Sequence, residues 1–237
     1  MAELVAEQAA ERLAMSALQR KNMVESQVRP SDVTDRRITT AMQAVPRERF
    51  VPPALATLAY MDDPLTVAPG RSLMAPRTFA RLLQAASVDA GDKVLIIGAL
   101  SGYSAAVIAG MAGQVVALEC DAAGTAAAKA ALAERTVNNV SCVTGPLEAG
   151  WAADAPYDVI VIEGAVERVP DALITQLAPK GRLAAIEYSG GTSGGVGRAV
   201  VLQNTGTQDQ VAVSRRVAFE AAATCLPGFA RAKAFAF

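Results

Sequence analysis

The sequence predicts an α/β protein built on a mostly parallel sheet covered by helices on both faces. Two observations carry this. From Asp92 onward, short apolar runs of strand length alternate with helical segments, and that alternation is the pattern of strand–helix–strand crossovers. The first such run, "VLIIGALSGYSAA" (residues 94–106), passes through a glycine turn directly into a helix, a shape that presents backbone N–H groups to the polar tail of a nucleotide-type ligand.

The elements follow in order. Residues 2–27 carry apolar positions at helical spacing (Leu4, Val5, Ala9, Leu13, Leu18), and Pro30 ends that helix. "SDVTDRRITTAMQAV" restarts one, with Ser31 or Asp32 as the expected N-cap and Val33, Ile38, Met42 and Val45 as its apolar side. "AYMDDPLTVAPGRSLMAP" reads as extended loops punctuated by Pro and Gly. Pro76 opens a helix with Phe79, Leu82, Leu83 and Ala86 on one face. Then come "KVLII", "QVVALE", an Ala-rich helix from Ala122 to about Arg135, "NVSCVTG", "YDVIVIEG", a helix near Pro170–Leu177 and "GRLAAIEY". "SGGTSGGVGR" is a connector: it lacks the Gly-Lys-Ser/Thr ending of a phosphate loop and precedes a strand. The tail segments "RAVVLQN", "QVAVSRRVAF" and "KAFAF" read as two or three strands with no helices between them, hence an antiparallel edge. Residues 1–90 are expected to form a helical and loop extension packed on a sheet domain of 91–237.

Composition narrows the chemistry. The 237 residues carry 22 basic and 23 acidic side chains, a formal net charge of −1. No basic excess points to nucleic acid or an anionic membrane surface, and no apolar run is long enough to span a bilayer. The N-terminus alternates acidic and apolar residues, unlike a secretory leader. Three scattered cysteines (Cys120, Cys142, Cys225) read as thiols of a reducing compartment, so a cytoplasmic location is expected. There is no histidine. That excludes Ser-His-Asp and Cys-His nucleophiles and imidazole metal ligands, and no metal is expected.

In open parallel sheets ligands bind beyond the carboxyl ends of the strands. The first strand of the alternating region ends at Gly98 and the second at Glu119. An acid about twenty residues past the glycine turn is where a ribose hydroxyl pair is held. Glu163 and Glu187 end the fourth and fifth strands on the same rim, where a solvated carboxylate is the expectation.

With these residues in view the chain resembles the protein-L-isoaspartate O-methyltransferase family, specifically its divergent alphaproteobacterial form. The resemblance runs from about Met23 to the end, through "NMVESQVRPSDVTDRRI", "AMQAVPRERFVP", "GYSAAVIAGMAGQVVALECD", "APYDVIVIEGA" and "QLAPKGRL". It implies a Rossmann-like seven-stranded methyltransferase sheet, S-adenosylmethionine as methyl donor, and an isoaspartyl carboxylate of a damaged protein or peptide as acceptor. It implies cofactor-binding roles for Gly98, Ser101, Gly102, Glu119 and Gly145. A carboxylate acceptor is already ionised at neutral pH, so a histidine-free protein can align it without a base.

Four departures from the family pattern point at the same pocket. Ile96 stands where the family has an acid facing the methionyl ammonium, and Leu100 replaces the middle glycine of the turn. Gly145-Pro146-Leu147 replaces Gly-Asp-Gly, whose acid reads the adenine amino group, and Met74-Ala75-Pro76 replaces Ser-Gln-Pro, leaving Ser72 as the stand-in for the catalytic serine. Met74, Leu100 and Leu147 are expected to make the cleft apolar, and donor binding is expected to be weak or absent. The alternative to the family's reaction is a non-catalytic protein that binds a partner through the old cleft.

Overall fold

A computed structural model describes residues 1–188, 196–207, 210 and 212–229, with the side chains of 2–6 and 9 left out. Residues 189–195 of the connector and "KAFAF" fall outside the described residues, while the connector's Gly197 opens β8.

Seven strands form one sheet: β3 (Lys93–Ile97), β4 (Gln114–Glu119), β5 (Val140–Thr144), β6 (Tyr157–Val166), β7 (Leu177–Glu187), β8 (Gly197–Asn204) and β9 (Val213–Ala221). Their order is β5-β4-β3-β6-β7-β8-β9. Strands β3 to β7 pair in parallel, and β8 and β9 pair antiparallel at one edge, so the expected mixed sheet is found. After β3 the chain runs outward through β4 and β5 and returns to β6 on the other side. The reversal opens a crevice beyond the carboxyl ends of β3 and β6, the switch point at which such sheets take ligands.

Strand periodicity divides the core. Val94, Ile96, Val115, Ala117, Val159 and Val161 face one cluster, while Leu95, Ile97, Val116, Leu118, Ile160 and Ile162 face the other. On the first face lie α3 (Pro76–Ala86) and α4 (Tyr103–Ala109), joined by residues from the turns after α1 (Ala2–Met23) and from α2 (Arg36–Ala44). The other face is closed by Leu173 of α6 (Asp171–Ile174) and by Leu147, Leu226 and Phe229. A further helix, α5 (Ala122–Ala133), is capped by Asp121, whose side chain accepts from Gly124 N.

Three expectations need correction. The cap of α2 is Asp35, whose carboxylate accepts from Arg37 N at 2.8 Å; Ser31 lies in a 3₁₀ turn with Pro30, and Asp32 adopts a left-handed conformation with φ 62°. The helix over 2–27 keeps α geometry to Met23 and widens into a π turn over Val24–Val28, and Leu13 and Leu18 are exposed. The stretch read as loops contains a hairpin, β1 (Leu65–Ala68) with β2 (Arg71–Leu73), turned by Gly70 at φ 68°.

The glycine turn has the backbone the sequence implies. Gly98 and Gly102 have φ of 82° and 91°, and Gly102 caps α4. A Cβ at Gly102 would lie 3.2 Å from that of Ala128. Replacing Gly102 by Ala should cost about 1–2 kcal/mol of stability from the left-handed conformation, read as a lower urea midpoint with an unchanged slope.

Candidate cofactor cleft

The crevice is furnished from both sides. Glu119 ends β4 and is 2% exposed, and Arg71 reaches it from the hairpin while itself 8% exposed. Arg71 Nη1 donates to Glu119 Oε1 and Nη2 to Oε2 at 2.8 Å, a bidentate pair. Cys120 N donates to Oε1 at 2.8 Å and Leu100 N to Oε2 at 2.7 Å. Four N–H donors thus fill the roughly four lone-pair positions of the carboxylate. Arg71 Nη2 also reaches the Gly98 carbonyl at 3.2 Å. Burial alone would raise the Glu119 pKa, but the Arg71 guanidinium outweighs it and holds the carboxyl below its ordinary value.

Leu100 adopts φ 50°, the left-handed region that a glycine enters freely, and its side chain is buried. In this conformation its N–H points at Glu119. Ile96 is fully buried in the first core cluster, together with Met74 and Leu100. Leu147 joins the second cluster with Leu226 and Phe229. The direct occupants of the crevice are Arg71 and Leu226, neither of which the sequence reading singled out. A Cβ at Gly98 would lie 3.1 Å from the Leu226 methyls, and one at Gly164 would lie 2.5 Å from Leu226 Cγ.

The other expected site residues are dispersed. Gly145 N donates to the Glu119 carbonyl at 3.0 Å, which ties the end of β5 to the crevice. Ser101 Oγ donates to the Phe50 carbonyl, so its hydroxyl is spent on the "PRERF" turn. Ser72 pairs with Thr66 Oγ1 at 3.1 Å across the hairpin, and strand alternation places it on the opposite face from Arg71 and Leu73. Glu187 is partly exposed and paired with Arg215 at 2.7 Å.

Glu163 does not follow the expectation of a solvated rim carboxylate. It is 2% exposed and accepts from Ser104 Oγ of α4, and burial pushes its pKa up to about 7. Nearby, Arg47 lies 1% exposed with its guanidinium 4.6 Å over the Tyr103 ring. Arg47 donates to the carbonyls of Ala59 at 2.8 Å and Met74 at 2.6 Å, so the "PRERF" segment clamps the loop that leads into α3.

The sequence pattern of the family described as protein-L-isoaspartate(D-aspartate) O-methyltransferase (PCMT) matches residues 18–188. The chain belongs to this family. It is 44% identical over 164 residues to the protein-L-isoaspartate O-methyltransferase of Methylorubrum extorquens (strain PA1), covering 69% of this chain and 72% of that protein. It is 41% identical over 167 residues to protein-L-isoaspartate O-methyltransferase 1 of Rhodopseudomonas palustris (strain HaA2), covering 70% and 68%. A solved protein-L-isoaspartate O-methyltransferase superposes with a TM-score of 0.73 at 24% identity, over 88% of this chain and 66% of that one. A PCMT from Plasmodium falciparum, solved in complex with S-adenosyl-L-homocysteine, superposes with a TM-score of 0.72 at 17% identity, over 87% and 97%. The seven-stranded sheet is the Rossmann-like methyltransferase fold, and the cofactor of the family is S-adenosylmethionine.

In the conformation described, the crevice does not fit that cofactor. The Glu119 carboxylate has no free acceptor, and the glycine faces at 98 and 164 are covered by Leu226. Arg71 Nε is buried without a hydrogen-bond partner, so the guanidinium is held by its pairing rather than by full satisfaction. Ligand entry at Glu119 requires Arg71 to leave.

Two stability predictions follow from the buried charges. Arg71→Ala strands the Glu119 carboxylate and should destabilise the fold by about 3–5 kcal/mol, with part of the loss recovered in Arg71→Ala/Glu119→Gln, both read by urea denaturation. Glu163 holds its proton to higher pH in the folded than in the unfolded chain. The folded state therefore binds more protons between about 4.5 and 7, and stability should fall as pH rises across that window. Glu163→Gln should flatten this decline in denaturation midpoints measured from pH 4.5 to 8. Glu119 acts in the opposite sense at lower pH, its contribution being lost as pH drops below the ordinary carboxylate range.

Proposed function

We propose that the chain is a protein carboxyl methyltransferase of the isoaspartyl-repair class, with S-adenosylmethionine as donor, working in the cytoplasm on damaged protein or peptide segments. The observation that carries this reading is the retained frame at the switch point: Gly98 and Gly102 in left-handed geometry and Glu119 at the end of β4. Relatives about 40% identical that bear the family's name support it. Placement in the divergent alphaproteobacterial form is part of the proposal, and the changes at Ile96, Leu100, Pro146 and Met74 support it. The chemistry agrees with the composition. An ionised carboxylate needs alignment rather than deprotonation, and the chain has no histidine to serve as base. Among the expected roles, Glu119 holds ribose once Arg71 has left it, and Gly98, Ser101, Gly102 and Gly145 shape the pocket; Ser72 remains the proposed stand-in for the serine.

The closed crevice favours a second reading, in which the fold binds a partner without transferring a methyl group. One experiment separates the two. Calorimetric titration with S-adenosyl-L-homocysteine should show binding weaker than micromolar, less favourable than about −8 kcal/mol, because Arg71 and Leu226 must be displaced first. Incubation with labelled S-adenosylmethionine and an isoaspartyl peptide should give slow, base-labile labelling that disappears in Glu119→Ala. Base-stable label would contradict a carboxylate acceptor. No label from protein that is folded by circular dichroism would favour the second reading.

A further inference from the structure

The crevice is occupied by a segment of the chain itself. Beyond β9, residues Thr224–Leu226 lie alongside the carboxyl end of β6 and pair in parallel with it, Ala165 opposite Cys225. Ala165 N donates to the Thr224 carbonyl and Leu226 N to the Ala165 carbonyl, both at 2.9 Å. Leu226 is 6% exposed and packs on the Cβ-less faces of Gly98 and Gly164, one from each strand flanking the switch point. Three residues on, Phe229 is 5% exposed in the same apolar cluster as Leu147. Between them Gly228 takes φ 85° and passes so close to the Glu148 carboxylate that a Cβ there would collide with it.

This is strand addition with a side-chain anchor. Main-chain hydrogen bonds supply register, and a pocket for one side chain supplies selectivity. Gly164 is informative because a glycine inside an otherwise apolar strand marks a place where another group approaches closely, and here the group is Leu226. The occupant is uncharged and extended at Thr224–Leu226, whereas the family's donor is a charged nucleoside. The crevice is therefore apolar at the positions Leu226 touches.

We propose that the crevice at the switch point is a peptide-binding groove whose resident ligand is the segment Thr224–Phe229, anchored by Leu226 between Gly98 and Gly164, and that this segment and a nucleoside donor exclude one another. The exclusion rests on the methyltransferase reading above; the groove does not.

The test uses the full chain and a fluorescein-labelled synthetic peptide of residues 222–229. Leu226→Asp puts a charge against the two glycines and should release the resident segment. The labelled peptide should then bind saturably by fluorescence anisotropy, at least ten-fold more tightly than it binds the wild-type chain, and a peptide carrying the same Leu226→Asp change should not bind. Gly164→Val fills the anchor pocket from within and serves where the first variant fails to fold. It should speed hydrogen exchange at the Leu226 amide at least ten-fold and bind no peptide. Equal peptide binding by wild type and Leu226→Asp, binding by neither, or unchanged Leu226 exchange in Gly164→Val overturns the groove. Displacement of the bound peptide by S-adenosyl-L-homocysteine supports both the groove and the donor reading. Peptide binding as expected, with no displacement and no heat from millimolar S-adenosyl-L-homocysteine, keeps the groove and overturns the donor reading.

Discussion

The ion pair between Arg71 and Glu119 is the interaction on which the state of the site depends. A buried carboxylate at a strand end is costly without a counter-charge. In a nucleotide-binding sheet such an acid is satisfied by ligand hydroxyls and backbone donors. Here Arg71, from a hairpin 48 residues earlier, supplies that counter-charge, and the backbone N–H groups of Leu100 and Cys120 complete the set. Glu119 is thereby kept charged and buried, and the same pairing leaves its carboxylate no free acceptor.

The remaining features of the crevice are consistent with that closure. Leu100 occupies a left-handed position at some conformational cost, but its side chain is buried and its N–H is used. Leu226 lies against the glycine turn at Gly98, and its segment is fixed by two backbone hydrogen bonds to β6. Glu163 sits one residue before Gly164, buried against Ser104 with its proton held to near neutral pH. Arg47, stacked on Tyr103 and bonded to the Met74 carbonyl, fixes the loop carrying the Met74-Ala75-Pro76 segment.

The sheet was legible in the sequence because its strands are unbroken apolar runs, and burial on both faces leaves few other ways to place them. Gly98, Gly102 and Glu119 were legible for a related reason: a tight turn and a spaced acid are local signals. What escaped was non-local. Nothing near Arg71 marks it as the partner of Glu119, since the pairing exists only once the hairpin folds over the sheet. Leu226 sits in a tail segment of ordinary composition, and its one signal was the glycine at 164 inside a strand of valines and isoleucines. Glu163 reads as a rim residue from its place in the strand, but α4 and its Ser104 bury it. The α2 cap was misplaced because Asp32 and Asp35 are equally plausible caps by type, and only the left-handed turn at Asp32 decides for Asp35.

The central claim is that the crevice is closed by the protein's own Arg71 and Leu226. The most direct test is the hydrogen-exchange rate of the Leu100 amide in the ligand-free full chain, because that N–H donates to the Glu119 carboxylate held by Arg71. The account predicts exchange slowed to the range of the central strands β3 and β6, with opening close to global unfolding. Exchange within seconds at neutral pH, alongside protected amides in those strands, would show that the Arg71–Glu119–Leu100 arrangement opens freely, and would contradict it.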